Sequence, residues 1–171
     1  MGRITFIIGG ARSGKSGHAL KLAGGAKRVA FVATCEALDN EMAMRIKDHK
    51  NDRPKHWTTF EEPLAVSALI RRIPAAHDLI LIDCLTLLVS NLFLKKRAPQ
   101  KIEKEIIAIM EELKKRKDSS IVVSNEVGLG IVPDNRLGRE FRDVAGRVNK
   151  IAAERSAQVL FMVSGIPWRI K

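Results

Sequence analysis

The chain has 171 residues, 46% of them hydrophobic, and a formal net charge of +11 from 30 Lys and Arg against 19 Asp and Glu. That length suits one domain, residues 1–171, with a real core, the apolar share excludes a disordered chain, and no apolar run is long enough for stable membrane insertion. The two cysteines, Cys35 and Cys84, belong to no C-x-x-C or Cys/His cluster, which argues against a disulfide framework or a zinc site, and the absence of a signal-like segment points to a cytoplasmic protein.

Taken in order, Ile4-Thr5-Phe6-Ile7-Ile8 reads as a strand. Gly9-Gly10-Ala11-Arg12-Ser13-Gly14-Lys15-Ser16 follows and fits G-x-x-x-x-G-K-[ST] at every fixed position. A helix-like segment, His18 to Ala23, closes at Gly24-Gly25. Strand, glycine loop and helix are the context of a phosphate-binding loop. Its glycines turn the backbone N–H groups inward, and the helix N-terminus adds a site for anionic phosphate. Lys15 can reach the β- and γ-phosphates, and the Ser16 hydroxyl can hold Mg²⁺.

Arg28 to Thr34 reads as a second buried strand. Asp39 is placed as the N-cap of a helix that carries Met42, Ile46 and His49 on one face and stops before Pro54. His56 to Phe60 alternates like a short strand, and a helix from about Pro63 to Arg72 follows. Asp78 to Asp83 is the clearest strand, an apolar run ending in the acid that a phosphate-loop protein uses on its Mg²⁺ side. Leu85 to Leu94 reads as helical. Ile102, Ile106, Ile109, Met110 and Leu113 mark the face of another helix, with Glu111/Lys115 and Glu112/Arg116 pairs expected outside. Lys95 to Arg97 and Lys114 to Lys117 fall at helix ends, where cations suit the dipole.

Ile121 to Ser124 is a further strand, running into Asn125-Glu126-Val127-Gly128. Leu129 to Asn135 has too many glycines for a helix and reads as a loop or ribbon. A long helix then carries Leu137, Phe141, Val144, Val148 and Ile151 on one face, interrupted by Gly138 and Gly146. Gln158 to Ser164 is a strand, and Ile166 to Ile170 adds a short edge strand. The fold class is therefore α/β of the P-loop NTPase type: a mostly parallel, doubly wound sheet, helices on both faces, and a short antiparallel edge.

Several unusual strings narrow the chemistry. They are Arg45-Ile46-x-x-His49 with Arg53-Pro54, Trp57-x-Thr59-x-Glu61-x-Pro63, and Asp83-Cys84-Leu85-Thr86 with Asn91. Further on are Ser124-Asn125-Glu126-Val127-Gly128-x-Gly130-Ile131-Val132-Pro133 and Arg139-x-Phe141-Arg142-Asp143-x-x-Gly146-x-x-Asn149. With the glycine loop, they resemble the bifunctional adenosylcobinamide kinase / adenosylcobinamide-phosphate guanylyltransferase family over nearly the whole chain. The resemblance implies two steps: a nucleoside triphosphate, GTP or ATP, phosphorylates adenosylcobinamide, and GTP then gives GMP to that phosphate through a guanylylated histidine. The family's histidine falls on His49, and the resemblance implies a homotrimer. Partners are then the corrinoid substrate and nucleotides, with no nucleic acid.

On that reading His49 and Lys15 are catalytic, because a neutral imidazole can attack an α-phosphate and Lys15 neutralises charge on the leaving pyrophosphate. Ser16 and Asp83 hold the metal. Arg12, Lys50 and Arg53 are phosphate contacts, and Asn51 and Asp52 belong to the same nucleotide-facing loop. Thr34, Cys35 and Glu36 end the strand expected beside the phosphate-loop strand and line the nucleotide site, as does Cys84. Glu61 can accept from guanine N1 and N2, or simply cap the segment before Pro63. Cys84 reads as a buried small residue, Trp57 and Trp168 as packing residues that could instead stack on a corrin or base, and His18, His56 and His77 as structural or surface. Two other readings stay open: a small-metabolite kinase without a guanylyl step, and a basic nucleotide-dependent protein acting on nucleic acid.

Overall fold

The apolar runs of the sequence become neighbouring strands of one sheet in the structure, a computed structural model that describes residues 2–36, 44 and 53–171. The strands are β1 (Ile4–Gly9), β2 (Val29–Ala33), β3 (Thr58–Glu61), β4 (Leu79–Asp83), β5 (Ser119–Asn125), β6 (Gln158–Val163) and β7 (Ile166–Arg169). Their order is β3-β2-β4-β5-β1-β6-β7. All pairings are parallel except that of β7, which returns antiparallel on β6. Five helices lie among the described residues: α1 (Lys15–Ala23), α2 (Val66–Arg72), α3 (Leu85–Leu94), α4 (Pro99–Lys115) and α5 (Arg136–Arg155).

Strands buried on both faces read as continuous apolar runs, which is why Val29–Ala33 and Leu79–Ile82 carry no alternation. Their side chains still alternate in space. Phe6, Ile8, Ala30, Val32, Ile80, Ile82 and Val122 join one cluster with apolar residues of α2 to α5. Ile7, Val29, Phe31, Ala33, Leu81 and Val123 join a second with Ala19 and Ala23 of α1 and with Trp57. Ile102, Ile106, Ile109, Met110 and Leu113 of α4 are all buried, as their spacing predicts.

The differences from expectation have local causes. The short strand is Thr58–Glu61, two residues nearer to β2's end than His56–Phe60, because Trp57 turns inward to stack on Phe31 with ring centroids 6.4 Å apart. The helix expected from Pro63 starts at Val66, because Glu62 Oε1 accepts the N–H groups of Leu64 (3.0 Å) and Ala65 (2.9 Å) and holds that stretch as a turn. The i,i+4 pairs of α4 are instead i,i+3, Lys115 to Glu112 at 2.9 Å and Lys114 to Glu111 at 3.5 Å. Arg116 turns away from Glu112. It pairs with Asp118 at 2.7 Å and donates to the carbonyls of Ile73 and Pro74. Leu137 is exposed, lining an open groove with Phe93 and Pro99. Gly138 is needed for a close approach, since a Cβ there would lie 2.8 Å from that of Pro133, whereas Gly146 has open space. Apart from Met44, which is helical, the helix expected from Asp39 through His49 lies outside the described residues. No helix among those described is long and apolar enough to cross a membrane.

Candidate active site

The carboxyl ends of the parallel strands carry the chemistry-bearing residues, as open α/β sheets place them. β1 ends at Gly9, whose close surroundings admit only glycine: a Cβ there would lie 2.6 Å from Met162 O and 2.8 Å from Ser13 Oγ. Gly14 has φ +90 and packs against Gly165, so its left-handed backbone also favours glycine. Gly165, in the turn between β6 and β7, donates its N–H to Ser13 O at 3.1 Å and props the loop from behind. Arg12 is exposed at φ 54.

The helix α1 begins with no side-chain cap and no acid in its first turn. Its first intrahelical bond runs from His18 N to Gly14 O. The amides of Lys15, Ser16 and Gly17 precede that bond and have no helical acceptor, so they and the dipole form an anion site. Lys15 is buried and donates Nζ–H to Gly10 O and, at 3.5 Å, to Ser13 Oγ. Burial lowers its pKa, while the nearby Cys84 and Asp83 act in the opposite sense.

Beside this loop, Ser16, Phe31, Arg53 and Asp83 line one small cleft. Arg53 lies over the Phe31 ring, 3.7 Å from its centroid. Its Nε and Nη1 are buried and make no hydrogen bond among the described residues. Burial lowers the pKa of this guanidinium, and the charges of Asp83 and Glu61 oppose the shift. A cation kept in such a place fits a cleft that takes an anion. The Ser16 hydroxyl and Asp83 carboxylate are hard oxygen donors. Mg²⁺ suits them, since it is held by one or two carboxylates and completes its shell with water and phosphate. Among the described residues no group of three or more His, Cys, Asp or Glu could hold a metal unaided.

A complete phosphate loop facing an acid-ended strand marks a nucleotide enzyme, and comparison with known proteins decides which. Residues 5–170 match the family model described as cobinamide kinase / cobinamide phosphate guanyltransferase. The chain belongs to this family. It is 42% identical to the bifunctional adenosylcobalamin biosynthesis protein CobU of Salmonella typhimurium, over 98% of this chain and 99% of the relative. It is 45% identical to the bifunctional adenosylcobalamin biosynthesis protein CobP of Pseudomonas aeruginosa, over 97% of this chain and 96% of the relative. The CobU protein of Escherichia coli is 39% identical over 98% of this chain. Membership makes the chain an enzyme, a nucleotide-binding kinase and transferase of cobalamin biosynthesis.

Within this member of the cobinamide kinase / guanyltransferase family, the expected site residues separate into groups. Gly9 to Ser16, Arg53 and Asp83 come together at the end of β1 and its cleft. Glu61 is exposed as the last residue of β3, paired in register with Ala33 of β2. The capping considered for it is done by Glu62. Cys35 and Glu36 follow β2 and are half-buried, but β2 is not the neighbour of β1 that the sequence suggested, since β4 and β5 stand between them. Thr34 is fully buried, and its hydroxyl donates to Cys84 O at 2.7 Å and accepts from Cys84 N at 2.9 Å. Thr34 and Cys84 thus lock β2 to β4 just beyond Asp83. The Cys84 thiol is buried, and desolvation first, then the Asp83 charge, pushes its pKa up to about 12. His49, Lys50, Asn51 and Asp52 lie outside the described residues. His56 is exposed, His77 contacts Pro74 O and Phe60, and His18 is half-buried in α1.

Sequence reasoning gave no role to a buried polar network behind the site. Thr86 Oγ1 and Ser124 Oγ are 3.0 Å apart, Ser124 Oγ donates to Asn149 Oδ1 at 2.7 Å, and Asn149 Nδ2 donates to Asn125 O at 3.0 Å. Asn91 Nδ2 donates to Thr34 O at 2.7 Å and Pro63 O at 3.0 Å. The available signal was a polar amide or hydroxyl inside an apolar helix, since such groups are almost always hydrogen-bonded when buried.

Proposed function

We propose that this enzyme phosphorylates the aminopropanol hydroxyl of adenosylcobinamide with a nucleoside triphosphate and then transfers GMP from GTP to that phosphate through a guanylylated His49, releasing pyrophosphate. The observation that carries the reading is the pairing of an uncapped phosphate loop with Ser16, Arg53 and Asp83 around one cleft, in a chain matching the family from end to end. Lys15 and the α1 amides bind the β- and γ-phosphates. Mg²⁺ on Ser16 and Asp83 would offset charge developing on the phosphate oxygens. Arg53, desolvated on Phe31, supplies a further cation, with Arg12 and Lys50 at the rim. Glu61 accepts from the guanine edge, and Cys35 and Glu36 border the same edge of the sheet. Asn51 and Asp52 complete the loop between His49 and Arg53. His49 attacks the α-phosphorus as a neutral imidazole, because histidine's ordinary pKa of about 6.5 leaves it mostly unprotonated at neutral pH. One domain, working in the cytoplasm as a homotrimer, carries both steps.

The support for His49 is the string Arg45-Ile46-x-x-His49 ending at Arg53-Pro54, whose Arg53 lines the cleft. The test is covalent labelling. With Mg²⁺ and GTP labelled at the α-phosphate, the protein should take up label that is acid-labile and base-stable, and GTP labelled at the γ-phosphate should leave none on the protein. His49→Ala should lose the adduct and retain phosphorylation of the corrinoid. Absence of α-label while GTP binds would leave a plain kinase as the account.

A further inference from the structure

We propose that Glu126 is the general base of the kinase step, taking the proton of the corrinoid's alcohol as it attacks the γ-phosphate. This rests on the kinase reading above. Glu126 is the first residue beyond β5, the strand beside β1, and its N–H donates to Gly9 O at 2.8 Å. The carboxylate is therefore carried on backbone bonded to the first residue of the phosphate loop, next to Gly10, whose carbonyl takes the Lys15 ammonium. Its Oε1 accepts from Gly128 N at 2.6 Å. Its other oxygen has no hydrogen bond or ion pair among the described residues, which leaves one lone-pair face for a proton. A Cβ on Gly128 would lie 2.8 Å from Oε1, so a side chain there would push the carboxylate off this position.

The backbone just before Glu126 is held from two sides. Asn125 N donates to Thr86 Oγ1 at 2.7 Å, and Asn125 O accepts from Asn149 Nδ2 at 3.0 Å. Both backbone groups of the residue before Glu126 are thus fixed by buried side chains of α3 and α5. Other carboxylates at this edge are placed differently. Asp83 lines the cleft with Ser16, Glu62 caps the turn before α2, and Glu61 sits on β3, four strands from β1.

In the step, the O–H proton passes to the Glu126 carboxylate as the alcohol oxygen bonds to the γ-phosphorus. The bond from that phosphorus to the β,γ-bridging oxygen breaks, a nucleoside diphosphate leaves with the bonding pair, and Glu126 returns the proton to water. The guanylyl steps need no such base. Their nucleophiles are a neutral imidazole and a phosphate oxygen that is already an anion.

That difference supplies the test. Wild type, Glu126→Gln and Glu126→Asp are assayed for phosphorylation of adenosylcobinamide, and separately for GMP transfer from GTP to supplied adenosylcobinamide phosphate. Gln should lower kcat for phosphorylation by about 10²–10⁴-fold, the usual range for a lost base, with the KM for nucleotide little changed. GMP transfer should be far less affected, and Asp should recover part of the kinase kcat. Phosphorylation by the Gln variant within about threefold of wild type overturns the proposal. So does an equal fall in both activities, which marks a structural role. A wild-type control without kinase activity overturns the underlying reading instead, and with it the proposal.

Discussion

Lys15 is a charge kept where a charge is disfavoured. Its ammonium is buried among its own loop's oxygens, desolvation lowers its pKa from 10.5, and only Cys84 and Asp83 counter that. A triphosphate in the loop restores the lost solvation with anionic oxygen, so the bound state should hold the proton more tightly than the free one. Below both values Lys15 is protonated in either state and binding moves no proton. As pH rises through the lowered free value, the free protein gives up its proton, and binding must then take one up. Calorimetry of GTP binding in buffers of different ionisation enthalpy, with the pH stepped up from neutrality towards 10.5, should show net proton uptake that grows with pH. Uptake of zero throughout would mean that the phosphates do not meet Lys15. The loop's place was legible because every determinant lies within eight consecutive residues, Gly9 to Ser16. The inert state of Cys84 was legible too, as a small residue at the end of an apolar strand with no base beside it.

At the scale of elements, the site depends on groups that no local pattern reveals. Asn91 lies in α3, a mostly apolar helix, and its amide closes the carbonyls of Thr34 and Pro63. Those partners are 57 and 28 positions away, so the sequence announces a buried amide and not what it holds. The same is true of Asn149, 25 positions from Ser124. Leaving buried carbonyls without a donor costs about 1–3 kcal/mol. Asn91→Ala should therefore destabilise the fold by about 2 kcal/mol, which for a chain of this size lowers Tm by roughly 4–8 °C. It should also raise the KM for nucleotide, since Thr34 fixes the Cys84 backbone beside Asp83. Thermal melts and steady-state kinetics on the one variant test both. An unchanged Tm would show that water replaces the amide. Helix starts were misjudged for a related reason: Glu62 bonds forward to Leu64 and Ala65, a side-chain contact that composition does not display.

At the scale of the molecule, alternating apolar runs and amphipathic helices made a parallel sheet legible, while strand order stayed hidden because every doubly buried strand carries the same pattern. Assembly is written differently, in what the fold leaves uncovered. One apolar patch follows β5: Leu129, Ile131 and Val132 are exposed, with Ile131 at 96%, and Leu137 adjoins them in sequence. A second runs along the sheet edge at Ile166, Trp168 and Ile170, where Trp168 is 64% exposed and not packed as its sequence suggested, because β7 is an edge strand. Two-fold dimers need one self-complementary patch, whereas a ring of three joins two different patches head to tail. We expect a homotrimer, formed by apposing these two against a repulsion between +11 chains that added salt weakens. Sedimentation should give three times the 19.0 kDa chain mass. Ile131→Asp and Trp168→Asp should each run as monomers. Mixed, they keep one intact pair of patches between them, the β7 edge of the first and the loop of the second, so the mixture should yield dimers and no trimers. A self-complementary contact would give no recovery on mixing, and a monomeric wild type at tens of micromolar would end the case for a ring.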